Sequence, residues 1–153
     1  MIKKLAKYVG KYKLDAILTP LFVAAESVLE VLIPFKMADL IDFGIEAENI
    51  NYVVKIGVIL LAFSIMSLIC GTLSGYFASR ASSGYAKNLR EAMYNKIQDY
   101  SFSNVDKFSA SSLVTRLTTD VTNVQNAFQM IIRIAVRAPI MFFTAMTMSF
   151  MVN

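Results

Sequence analysis

Three apolar stretches of membrane-spanning length constrain the fold of this chain more than any other feature. They lie at about 14–36, 53–79 and 134–153, and a helix needs roughly twenty mostly apolar residues to cross a bilayer core. A large soluble helical core is the alternative, but 153 residues cannot surround three helices that are apolar on every side. The sequence therefore predicts an all-α membrane protein with three long transmembrane helices.

The lysines and arginines divide the polar segments into two classes. Thirteen of the 15 basic residues precede the first stretch or lie in and beside the segment 80–132, whereas the connection near 42–52 is acidic. Positively charged segments stay on the cytoplasmic side of a membrane. The N-terminus and the segment 80–132 are therefore predicted to be cytoplasmic, and the acidic connection external, in a multi-pass protein of the cell membrane.

The N-terminal residues 2–13 have the pattern of an interfacial helix. Lysines occupy most of the positions between apolar residues at helical spacing, which are Ile2, Leu5, Tyr8, Val9 and Tyr12. Such a helix lies in the headgroup layer with its apolar side towards lipid, and its lysines are attracted to anionic lipids. A disordered basic leader is the alternative interpretation.

The segment 80–132 is predicted to form a helical hairpin with two legs of 23 residues each. At 1.5 Å per residue, each leg extends about 35 Å from the membrane. Apolar residues three or four apart give each leg one apolar face. The faces consist of Tyr85, Leu89, Met93, Ile97 and Tyr100 on the outgoing leg, and Leu113, Leu117, Val121, Val124, Phe128 and Ile131 on the return leg. An amphipathic helix along the membrane surface is the alternative.

The tip of this hairpin is unusually apolar for a cytoplasmic turn. Phe102, Val105 and Phe108 recur at a spacing of three, so one turn of helix would present them together. No lipid is available there to bury them. They are expected to insert into a partner or a neighbouring hairpin, unless they only staple the turn internally.

The hairpin sequence resembles the first intracellular loop of ATP-binding-cassette (ABC) exporters. The pattern Leu-x-[Ser/Thr]-Arg-Leu-x-x-Asp of that loop is matched by Leu113, Thr115, Arg116, Leu117 and Asp120. Weaker similarities to the first and third transmembrane helices of bacterial multidrug-type half-transporters occur at 30–34, 39–42 and 133–139. The resemblance covers essentially the whole chain.

The resemblance implies a role in coupling ATP hydrolysis to transport. It makes 104–108 a coupling helix in a groove of a nucleotide-binding domain. The residues expected at this contact are Phe102, Asn104, Val105, Asp106, Phe108, Arg116 and Asp120. A solvated ion pair between the last two is the alternative for them. A second half-transporter is also expected, identical or different, so that the assembly is a homodimer or a heterodimer.

The chain has no Gly-x-x-x-x-Gly-Lys-[Ser/Thr] phosphate loop. It is therefore expected to have no ATPase site of its own and to bind no cofactor, with ATP and Mg²⁺ held by the nucleotide-binding domain. Its apolar end at Asn153 also predicts that the chain is cut from a longer protein with further spans.

Two acids inside the first apolar stretch are the candidate substrate residues. Glu26 and Glu30 are four residues apart, hence on one helix face. An acid within the membrane usually faces a cavity or an ionic partner. A role in binding predicts cationic amphipathic substrates. The alternative is a structural ion pair, with Lys36 or with a group outside this chain.

Composition excludes several other kinds of site. The chain has no histidine and one cysteine, Cys70, which argues against a zinc or copper site and an internal disulfide. The net charge of +4 follows from the positive cytoplasmic segments and does not indicate nucleic acid. Two functions besides transport fit three spans: an adaptor, and a channel subunit that oligomerises through the Gly71–Gly75 spacing.

Overall fold

The computed structural model describes residues 7–99 and 109–152. A short 3₁₀ helix (Lys7–Tyr12) leads into α1 (Lys13–Leu40), which a π-helical segment (Ile41–Ile45) extends. The long helix α2 covers Ile50–Gln98. The return leg consists of α3 (Ala110–Thr115), a second π-helical segment (Arg116–Asp120) and α4 (Val121–Val152). The predicted all-α fold class is confirmed.

Three helical stretches of the described chain are long and apolar enough to cross a membrane. They are Lys7–Ile45, Ile50–Gln98 and Ser111–Phe150. Each contains one of the predicted apolar spans, except that the last prediction extends a few residues further, to 153. The protein is therefore a membrane protein, and its first two membrane helices are joined by a tight turn from Glu46 to Asn49.

Contacts between Cα atoms divide the chain into two units. The hairpin unit consists of the described residues of Met1–Ile17 together with those of Tyr76–Ile132. The span unit consists of Leu18–Gly75 together with the described residues of Arg133–Asn153. Both units are discontinuous in sequence, because α1, α2 and α4 each contribute to both.

The hairpin unit has an apolar core between its two legs. The buried members of the core are Val9, Tyr85, Ala86, Leu89 and Val121. The rings of Tyr85 and Phe128 stack across the legs, with centroids 4.7 Å apart and an interplanar angle of 18°. At the start of the outgoing leg, Arg80 Nε lies 3.5 Å from Asp15 Oδ2, so the first acid of α1 has an ionic partner.

The N-terminal segment differs from the predicted interfacial helix. Its described part is a 3₁₀ helix, in which Gly10 takes the non-helical angles φ 51° and ψ −121°. Val9, which was expected to face lipid, is 8% exposed and belongs to the hairpin core. The Asn88 side chain donates to the Tyr8 carbonyl oxygen at 2.8 Å. These contacts hold the segment against α2. The N-terminal sequence alone does not reveal the surface of α2 on which it packs.

The predicted apolar face of the return leg is only partly right. Val121 is buried, but Val124 is 37% and Ile131 62% exposed. Gln125 and Gln129 contact the outgoing leg instead, through Ser83 and Ser82 respectively. The contact face of α4 therefore combines Val121 and Phe128 with these two polar residues, which an apolar periodicity does not include.

The span unit is packed through small residues. Thr19, Ser27 and Ser74 are fully buried, and the hydroxyls of the two serines donate to carbonyl oxygens of their own helices, Val23 and Gly71, at 2.8 and 2.9 Å. Because each hydroxyl donates to a carbonyl oxygen of its own helix, these small side chains permit close contacts between helices in a membrane. Large apolar side chains such as Leu61 and Phe142 are exposed, as expected for surfaces covered by lipid or by other helices.

Cysteine labelling should establish the orientation of these helices. In a Cys70→Ala background, Glu46→Cys is expected to react with an impermeant thiol reagent in intact cells, because Glu46 lies in the acidic connection that is predicted to be external. Thr119→Cys, on the exposed side of the hairpin, should react only after permeabilisation. Labelling of Thr119→Cys in intact cells would contradict the predicted cytoplasmic hairpin.

Candidate functional site

Glu26 and Glu30 lie one turn apart in the middle of α1, within the span unit. Their side chains are 14% and 30% exposed, so Glu26 is the more deeply buried of the two. Two ionised carboxylates on one helix face repel each other, and burial within a membrane removes the water that would screen them. Their position therefore requires a compensating charge.

Arg137 of α4 provides that charge. Its Nη2 donates to both carboxylate oxygens of Glu30, each at 2.7 Å. Its Nη1 lies 3.9 Å from Glu26 Oε1, which is beyond hydrogen-bonding distance. The arginine therefore makes a short contact with Glu30 and a longer, weaker contact with Glu26.

The predicted structural partner Lys36 is wrong. Lys36 instead pairs with Asp39, three residues along the same helix, at 2.6 Å. Arg137 lies near the start of the third apolar stretch and is the single charged residue within it. Its role could have been anticipated, because an intramembrane arginine and an intramembrane acid usually pair with each other.

A cavity of about 450 Å³ adjoins Glu26. Its wall is completed by Ser67, Leu68, Gly71 and Thr72 of α2. A side chain at Gly71 would intrude on the acid, since a Cβ there would lie 2.8 Å from Glu26 Oε1. The first glycine of the Gly71–Gly75 pair therefore accommodates Glu26 within this chain.

The predicted coupling residues fall into two groups. Five lie outside the described residues and keep the status of predictions, namely Phe102, Asn104, Val105, Asp106 and Phe108. Arg116 and Asp120 are both exposed, at the two ends of the π-helical segment. Arg116 also borders a small cavity of about 120 Å³ between the legs, together with Met93, Lys96, Ile97 and Leu113.

Comparison with known families identifies this arrangement of helices. The family model of the ABC transporter transmembrane region matches residues 16–153. The chain belongs to this family. The match includes the hairpin and all three spans, and it favours a transporter over the adaptor and channel-subunit alternatives.

Individual relatives of this ABC transporter chain agree with the family assignment. It is 32% identical to the ABC transporter ATP-binding protein YfiB of Bacillus subtilis, over 99% of this chain and 26% of the relative. It is 27% identical to the ATP-dependent lipid A-core flippase of Pseudoalteromonas translucida, over 88% of this chain and 23% of the relative. A putative export ATP-binding/permease protein of Rickettsia prowazekii is 22% identical over 98% of the chain and 26% of its own length. The chain thus spans about a quarter of the length of the curated relatives it matches.

Proposed function

We propose that this chain forms part of the substrate pathway of an ATP-driven bacterial exporter of drug-like or lipophilic compounds. It also couples ATP hydrolysis, in a nucleotide-binding domain outside this sequence, to transport. The main support is the packing of the hairpin unit. Arg90 bridges the two legs by donating to the Leu117 carbonyl oxygen at 3.3 Å and to Thr122 Oγ1 at 3.2 Å. Legs fixed to each other in this way suit the transmission of a movement from the tip.

The nucleotide-binding domain is the partner proposed for the tip. Support comes from the relatives, which are named as ATP-binding or ATP-binding/permease proteins and are long enough to include such a domain. ATP and Mg²⁺ would bind in that domain. The predicted coupling residues, Arg116 and Asp120 among them, would contact the domain's surface.

A second half-transporter is the partner proposed for the hairpin side. Val114, Val124 and Ile131 are 59%, 37% and 62% exposed on the return leg. These residues belong to the hairpin unit, where lipid is not expected to cover them. Burial of such side chains stabilises an association by about 25 cal/mol per Å² of apolar surface. Contact with a second copy or a related subunit would bury these side chains.

Replacement of Phe108 tests the proposed coupling. An aromatic side chain buried in a partner groove stabilises the contact by about 2 kcal/mol, so Phe108→Ala should weaken coupling by at least about tenfold. In the full-length transporter, substrate-stimulated ATPase activity and transport should fall, while substrate binding stays near wild type. Lys107→Ala serves as the control, because it changes a polar residue of the same turn.

Three measurements separate the coupling role from a structural one. Membrane insertion and thermal unfolding of Phe108→Ala should match those of Lys107→Ala. If Phe108→Ala instead lowers the unfolding temperature and leaves ATPase stimulation intact, Phe108 only staples the turn, and the proposed coupling contact is wrong.

A further inference from the structure

The charges of the span unit do not balance around Arg137. Glu26 and Glu30 contribute two negative charges and Arg137 one positive charge, which leaves a formal charge of −1. Glu30 accepts both short bonds from Arg137, at 2.7 Å. Glu26 receives only the 3.9 Å contact. The uncompensated charge therefore belongs to Glu26.

The Glu26 carboxylate lacks a full set of hydrogen-bond partners among the described residues. Its Oε2 atom is buried and has no hydrogen-bond partner among the described residues. A buried carboxylate without a full complement of partners is unfavourable, because desolvation is not repaid by contacts. A positive charge close to Glu26 would offset part of this cost by electrostatic attraction.

The cavity beside Glu26 is wide open on one side. Its volume of about 450 Å³ is sufficient to accommodate part of a small molecule. None of its five lining residues is basic. Thr72 Oγ1 already donates its proton to the Ile69 carbonyl oxygen at 2.9 Å, so it presents only its lone pairs. Leu68 supplies an apolar surface next to these acceptors.

We infer that Glu26, and not Glu30, is the residue that selects a monovalent lipophilic organic cation as the substrate. This inference rests on the proposed export function. Glu30 and Arg137 neutralise each other, which leaves Glu26 uncompensated. The charge of Glu26 attracts a cation, and the adjoining Leu68 side chain suits a lipophilic one. A permanent cation without N–H groups should therefore bind.

Equilibrium binding of tetraphenylphosphonium to the full-length protein in nanodiscs, without nucleotide, tests this inference. Neutral tetraphenylsilane, which has nearly the same shape, is the matched probe. Glu26→Gln should weaken binding of the cation at least tenfold, which corresponds to about 1.4 kcal/mol, and leave the neutral probe within twofold of wild type. Binding of tetraphenylphosphonium that is unchanged in Glu26→Gln would overturn the inference.

Two double variants separate the identity of the acid from net charge. Glu30→Gln/Arg137→Gln and Glu26→Gln/Arg137→Gln both retain one acid and a formal charge of −1. The first should bind tetraphenylphosphonium within about threefold of wild type, and the second at least tenfold more weakly. Equal affinities of the two would show that charge alone decides, and would overturn the assignment to Glu26. Thermal unfolding of both variants verifies that they are folded.

A transport measurement distinguishes failure of this inference from failure of the proposed function. ATP-driven extrusion of a neutral lipophilic dye by the wild type, with unchanged cation binding in Glu26→Gln, would overturn the inference alone. Absence of any ATP-driven extrusion would overturn the proposed function, and with it the assignment of the cation as a transport substrate. Selective loss of cation extrusion in Glu26→Gln, with the neutral dye still extruded, supports both.

Discussion

Replacing Arg137 with glutamine is expected to destabilise the protein by about 2 kcal/mol, less than for breaking a fully buried ion pair, because the Arg137 and Glu30 side chains are partly exposed. The substitution leaves Glu26 and Glu30 together without the one positive charge that approaches both. It also removes the two 2.7 Å bonds to the Glu30 carboxylate. The thermal unfolding temperature of the full-length protein in detergent, together with its yield in the membrane, measures this effect.

Two variants make the result specific to the ion pair. Arg133→Gln removes a basic residue one turn earlier on α4 and should change the unfolding temperature little. Glu30→Gln/Arg137→Gln removes both members of the short pair and should recover most of the lost stability, because no second uncompensated acid remains. If Arg133→Gln and Arg137→Gln destabilise the protein equally, the pair has no special role.

Replacing Gly84 with alanine is expected to destabilise the hairpin unit by about 1–3 kcal/mol. A Cβ at this position would overlap three ring atoms of Tyr12. An aromatic ring cannot yield by a small change in one terminal torsion, so either the ring or the 3₁₀ helix that ends at Tyr12 must move away. Limited proteolysis near the N-terminus and thermal unfolding should both detect this displacement.

Gly75→Ala is the matched control for Gly84→Ala. Both glycines lie within α2, but a Cβ at Gly75 meets nothing within 4 Å. Alanine there should be neutral or stabilise the helix by roughly 0.5–1 kcal/mol. Equal stabilities of the two variants would contradict the close packing of Tyr12 on α2.

The helical architecture was predictable because few structures satisfy its constraints. A stretch of about twenty apolar residues in a bilayer must satisfy its own backbone hydrogen bonds, and a helix does so. The two legs of the hairpin could be identified from residues such as Tyr85, Leu89 and Val121, which form the observed core. Val124 and Ile131 were misplaced because Gln125 and Gln129 make the neighbouring contacts with the outgoing leg, and polar residues do not appear in an apolar periodicity.

The candidate site was only half predictable for a related reason. Glu26 and Glu30 are conspicuous in the sequence, since intramembrane acids are costly. Their partner lies 107 positions from Glu30, and no pattern around the two acids indicates which distant residue it is. The same holds for Val9. The amphipathic sequence around it fits a helix on a lipid surface as well as a segment packed in the hairpin core, where Val9 lies. Such choices depend on tertiary contacts rather than on local pattern.

The hairpin unit is built from two separate segments of the chain, which limits how it can be exchanged between relatives in a chimera. A chimera that grafts only Tyr76–Ile132 would separate Asn88 from the carbonyl of Tyr8, and Gly84 from the ring of Tyr12. The recipient's own N-terminal residues would then meet a surface shaped for a different sequence. A transplant that carries the first seventeen residues along with the arm keeps both contacts, so the smallest exchangeable module of this protein consists of two separate pieces of its chain.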